Sequence, residues 1–153
     1  MPLDIGEPAP TVRAPNQDGA EVELSFDEPA VVYFYPRDDT SGCTVEARQF
    51  DAELDTDREA GVAVHGVSTD DVESHAAFAE KYDLDFDLLA DPGGEIADAF
   101  GVEVDGSRNA AARTTFVLAD GEVRAVYTGV QPDGHAREVL SEMLDAGLVE
   151  VEL

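Results

Sequence analysis

The chain has 153 residues, 9 of them Lys or Arg against 35 Asp or Glu, for a formal charge of −26. Such a surface repels nucleic acid and anionic membranes, so neither is an expected partner. A single cysteine excludes a disulfide-stapled secreted fold, and the length predicts one domain, 1–153, large enough for a proper core.

The ordinary explanation of so much acid is disorder or an acidic tail. Here the acids are spread between periodic apolar segments, which predicts a halophilic, salt-adapted surface whose self-repulsion is screened by ions. The start, MPLDIGEPAP, lacks a basic and an apolar leader segment, and no apolar run approaches the ~18 residues of a membrane span. A soluble, cytoplasmic protein is the expectation.

In chain order, residues 1–10 are proline-rich and are expected along the surface. Thr11–Ala14 and Glu21–Ser25 read as short strands flanking the turn Asn16-Gln17-Asp18-Gly19, a hairpin. Ala30–Tyr35 is an apolar run that predicts a strand buried on both faces, ended by Pro36. A polar loop leads to a helix starting near Cys43 and running to about Ala60, stopped by Gly61. Val62–Ser68 predicts a second buried strand, in which His65 is expected to be packed and hydrogen-bonded.

A helix follows over about Val72–Tyr82, then a short strand, Phe86–Ala90. Asp91-Pro92 predicts an N-cap and first helical residue. The helix it opens carries Ile96, Ala99 and Phe100 and closes at Gly101. Residues 103–112 read as a loop leading to Arg113. Thr114–Ala119 and Glu122–Val130 are strands joined by Asp120-Gly121. Asp133 is the expected cap of a last helix bearing Ala136, Val139, Leu140, Met143 and Leu144, and 148–153 reads as an acidic tail. Strands alternating with helices, plus terminal hairpins, predict an α/β protein with one mixed sheet.

Cys43, Ala47, Phe50 and Leu54 recur on one helical face, which places the only thiol in the first turn of a helix at the end of a core strand. An ordinary thiol is only about 3% thiolate at pH 7. The unpaired amides and partial positive charge of a helix start favour the anion, with further help required from Thr40, nearby amides or an arginine. Asp38 and Asp39 would oppose it and are expected to point away. Arg37 and Arg48 are rival cations nearby. A plain reading of Cys43 as a small core residue also exists. His65, His75 and His135 are far apart in sequence and no zinc-like ligand spacing occurs, so no metal is expected; His135, at a helix start, reads as exposed and neutral. Neither a P-loop nor a dinucleotide fingerprint is present, and no cofactor is expected.

Pro36, Thr40 and Cys43 stand as P-x-x-x-T-x-x-C, which resembles the active-site motif of peroxiredoxins. The wider string YFYPRDDTSGCTVEA is similar to their Q, or bacterioferritin-comigratory-protein, subgroup, and the resemblance covers nearly the whole chain. It implies a thioredoxin-like fold and a thiol-dependent peroxidase. In the family the cysteine attacks a peroxide and becomes a sulfenic acid, while the threonine hydroxyl and an arginine from a distant strand hold the peroxide oxygens. By resemblance that arginine is Arg113, Glu46 orients it, and Pro36 shapes the loop. Many Q-type members carry a second cysteine five residues on; here that position is Arg48. The implied partners are hydrogen peroxide or a small hydroperoxide and an external thiol reductant, in a monomer or weak homodimer. A redox-sensing switch and a non-catalytic thioredoxin-like scaffold are the alternatives.

Overall fold

The computed structural model describes residues 2–107 and 110–147. The order of elements is β1 (Val12–Pro15), β2 (Glu21–Leu24), β3 (Ala30–Phe34), α1 (Ser41–Ala52), α2 (Leu54–Glu59), β4 (Ala63–Ser68), α3 (Val72–Tyr82), β5 (Asp87–Ala90), α4 (Glu95–Ala99), β6 (Val104–Asp105), β7 (Ala110–Ala111), β8 (Thr114–Ala119), β9 (Glu122–Thr128) and α5 (His135–Asp145). Five strands form a mixed sheet in the order β5-β4-β3-β8-β9, with β3–β4 and β4–β5 parallel and β8 antiparallel to both its neighbours.

β3 sits at the centre, and its β-branched and aromatic residues suit a strand packed on both sides. Val31, Tyr33 and Tyr35 pack with Cys43, Ala47 and Phe50 of α1, Phe78 of α3, and Ala136, Val139 and Met143 of α5. Ala30, Val32 and Phe34 face the opposite core, built from the β1–β2 hairpin, α4 and Phe116. This period of two gives the sheet two hydrophobic layers and makes α1 a lid on one of them.

Most sequence-predicted elements are present, and the departures have local causes. The helix expected from Cys43 to Ala60 is two helices, α1 and α2, divided where Glu53 takes φ −90° and ψ −1°. Asp91 does cap α4, but from a distance: its carboxylate accepts from the amides of Ile96 and Ala97, while Pro92 lies in the preceding turn and Gly94 occupies the cap position. The loop expected over 103–112 contains a small antiparallel pair, β6–β7. Asp133 does not cap α5; left-handed Gly134 holds that position, its amide donating to Gln49 Oε1, while Gln49 Nε2 donates to Asp133. The acidic tail, 148–153, lies outside the described residues. Among the described residues no helix is long and apolar enough to cross a membrane.

Two histidines also differ from expectation. His135 is buried, with Nε2 2.8 Å from Thr115 Oγ1. Burial lowers its pKa, against the opposing pull of Glu138 and Glu142. His65 is packed as expected, but neither ring nitrogen has a hydrogen-bond partner; Asp87 Oδ2 is 3.8 Å from Nδ1.

Candidate active site

The site forms where β3 ends and α1 begins. Thr40 is extended (φ −93°, ψ 158°), and its carbonyl accepts the first helical bond, from Thr44 N at 2.8 Å. Cys43 is therefore the third residue of α1, within the turn whose amides lack helical partners. Its neighbours Ala47 and Phe50 anchor the helix on Tyr33 and Tyr35, with Tyr33 and Phe50 stacked at a centroid distance of 4.5 Å. The sulfur is thereby drawn inward, and the residue is only 1% exposed.

Strand pairing delivers the arginine. The antiparallel register of β3 and β8 pairs Tyr33 with Thr115 and Phe34 with Thr114. Arg113 immediately precedes β8, at the end of the sheet where β3 leads toward α1. Its guanidinium spans two partners: Nη2 donates to Cys43 Sγ at 3.1 Å and Nη1 to Glu46 Oε1 at 3.0 Å. Glu46 lies one turn below Cys43 and is 1% exposed, so burial pushes its carboxyl up to about 7 against the opposing influence of Arg113. Glu46 Oε2 and the hydroxyl of Tyr33 are buried without hydrogen bonds to the protein. Gly42 makes this close packing feasible. A Cβ there would stand 2.8 Å from Arg113 Nη2.

The remaining motif residues frame the approach. Pro36 is half-buried and Thr40 is exposed. Thr40 holds the cap position without a side-chain cap bond; its hydroxyl donates instead to the Arg37 carbonyl at 3.1 Å, which leaves the oxygen free to accept. Arg48 is exposed on α1. The two acids of the loop are engaged elsewhere: Asp38 with Tyr35, Ser74 and His75, and Asp39 with Lys81 and Tyr82. The sequence reading passed over Asp38 and His75 as a pair, because they are 37 residues apart and only the packing of α3 on the loop joins them.

The chain matches the AhpC/TSA family model over residues 5–126. It is 36% identical over 151 residues to a putative peroxiredoxin bcp of Coxiella burnetii, covering 94% of this chain and 100% of that one. This chain is a peroxiredoxin. The peroxidoxin BcpB of Mycobacterium tuberculosis superposes with a TM-score of 0.86 at 33% identity, over 94% of this peroxiredoxin and 97% of that chain. The bacterioferritin comigratory protein of Xanthomonas campestris, solved in work on its alkyl peroxide reduction activity, gives 0.81 at 31% identity over 90% and 92%. The fold is accordingly thioredoxin-like, and the activity of this peroxiredoxin is that of a thiol-dependent peroxidase. Its single cysteine agrees with a one-cysteine cycle.

Proposed function

We propose that Cys43 is the peroxide-reducing residue and that Arg113, Glu46, Thr40 and Pro36 build its site. The observation that carries this reading is the guanidinium of Arg113 held between Cys43 Sγ and Glu46 Oε1 at 3.1 and 3.0 Å. A fixed cation at that distance stands ready to stabilise charge that develops on a departing oxygen. Glu46 fixes the plane of the guanidinium. Thr40 accepts a hydrogen bond from the peroxide and aligns it for in-line attack. Pro36 ends β3 and shields the sulfur from water.

In the first step the Cys43 thiolate attacks one peroxide oxygen. The S–O bond forms and the O–O bond breaks; the sulfur loses two electrons, and the other oxygen leaves with a proton as water or alcohol. The product is a sulfenic acid, the reversible rung of cysteine oxidation. No second cysteine exists in the chain, so an external thiol attacks the sulfenic sulfur, expelling water and forming a mixed disulfide. A second thiol then releases reduced Cys43. The substrates are hydrogen peroxide and small organic hydroperoxides, in keeping with the alkyl peroxide activity of the Xanthomonas relative. A cytoplasmic location and a monomer or weak homodimer belong to the same proposal.

Rapid-quench oxidation of wild type and Cys43→Ser by hydrogen peroxide tests the reading, with a reductant screen in high salt. Wild type should form a sulfenic and, with excess oxidant, a sulfinic product, and Cys43→Ser neither. A wild-type Cys43 that stays unmodified refutes it.

A further inference from the structure

The active-site loop is tied down from one side by α3, and the strongest tie is buried. Asp38 Oδ2 lies 2.6 Å from His75 Nδ1 and accepts from the Ser74 hydroxyl at 2.8 Å, while Oδ1 accepts from the Tyr35 hydroxyl at 2.6 Å. His75 Nε2 faces the Leu89 carbonyl at 3.0 Å, and the histidine is 0% exposed. The Asp38 amide donates to Asp70 Oδ2 at 2.7 Å, which the Ser68 hydroxyl also reaches at 2.7 Å. One residue on, left-handed Asp39 (φ +58°) accepts from Lys81 Nζ and the Tyr82 hydroxyl at the surface. The donor atoms of Asp38, Asp70 and His75 lie within 4.8 Å of one another, but the 2.6 Å His75–Asp38 contact is a hydrogen bond rather than two ligands around an ion.

The catalytic cycle makes opposite demands on this loop. Cys43 is 1% exposed, which suits a two-oxygen oxidant and excludes a thiol that must bond to the sulfur itself. Resolution therefore requires the loop and the first turn of α1 to lift, and lifting them strains or breaks the contacts of Asp38 and Asp39 with α3.

We propose that the buried His75–Asp38 pair is the latch that sets how often the loop lifts, and so governs access of a resolving thiol to Cys43. The latch takes its biological meaning from the peroxidase reading above, while its mechanics stand apart from it. The surface contact of Lys81 with Asp39 is half exposed and screened by salt, whereas the His75–Asp38 bond lies beyond the reach of ions. Two-state arithmetic gives the latch a signature. When the closed form dominates, weakening it multiplies the small open fraction and leaves the closed fraction almost unchanged.

The test compares two reagents on reduced protein. Hydrogen peroxide reads the closed form, and dithiodipyridine, a bulky neutral disulfide, reads the open one. His75→Leu should label with dithiodipyridine roughly tenfold or more faster, and Ser74→Ala about fivefold faster, with peroxide oxidation within about twofold of wild type. His75→Asn keeps a donor near the Nδ1 position and should return labelling to within about threefold of wild type. Wild-type labelling rates in both His75→Leu and Ser74→Ala overturn the latch. So does an equal change in both reactions, the mark of a merely structural defect; Ser74→Ala opens little core space and keeps the test alive if His75→Leu does not fold. A wild-type protein that resists peroxide defeats the peroxidase reading, yet the labelling comparison still decides the latch.

Discussion

Replacing Arg113 is the sharpest test of the site. Nη2 donates to Cys43 Sγ at 3.1 Å, and a hydrogen bond to a charged group is worth about 1.5–3 kcal/mol. If that bond is stronger to the reacting sulfur than to the resting thiol, Arg113→Ala slows peroxide oxidation roughly ten- to hundredfold. Lysine keeps the charge but is a point cation and cannot bridge Cys43 and Glu46 as a fork does, so Arg113→Lys should recover only part of the loss. Removing the guanidinium also leaves Glu46 buried without its cation. Its carboxyl, already pushed up to about 7, then stays protonated to higher pH, and the variant should be least stable above pH 8, where ionisation is forced. A double-mutant cycle with Glu46→Gln separates orientation from charge; a coupling of about 1 kcal/mol or more is expected for residues in direct contact. The protein has no tryptophan, so the assay is rapid quench with alkylation and mass readout of Cys43. An Arg113→Ala rate within twofold of wild type would refute the role given to the arginine.

Asp57 is 3% exposed, and burial, with Glu53 adding to it, pushes its carboxyl up to about 7. A carboxyl raised on folding adds stability fully below its unfolded pKa and loses it as pH rises through its folded one, here between about pH 4 and pH 7. Asp57→Asn should therefore stabilise the protein at pH 8 by about 1–2 kcal/mol and flatten the pH dependence of its thermal midpoint; no gain at pH 8 counts against this. The charge of −26 predicts that molar potassium chloride raises the midpoint by about 10 °C or more over low salt, and equal midpoints would remove the salt-adaptation reading. Gly42→Ala should slow oxidation about tenfold, because its methyl would meet Arg113 Nη2 at 2.8 Å; an unchanged rate shows that the guanidinium can move without cost.

What could be read in the sequence was what depends on near neighbours. The strand into Pro36, the helical face of Cys43, Ala47 and Phe50, and the α3 boundaries Val72 and Tyr82 follow from periodicity and breakers, and the structure has them. Arg113 came from resemblance alone, since nothing local says that a strand some 80 residues after β3 pairs antiparallel with it. The misses share a cause. Asp133 and Asp91 carry cap-forming side chains, but Gln49 from another helix and a turn at Pro92 determined where the helices begin. His135 reads as exposed and neutral because a helix start disfavours a positive charge, whereas Thr115 and the packing of Phe50 and Tyr127 draw it inward. Glu46, like Arg113, came from resemblance: nothing local marks it as buried, and only the guanidinium above it makes an acid tolerable at 1% exposure.

The chain has one lysine and one cysteine, and the fold sets Lys81 against Asp39, four residues before Cys43. A sulfur-directed dye will find a single side chain of the unaltered polypeptide, and an amine-directed dye a single side chain besides the α-amino group. A donor on Lys81 and an acceptor at Cys43 would report the lifted position of the start of α1 relative to α3, since a dye on the sulfur cannot fit where the residue is 1% exposed.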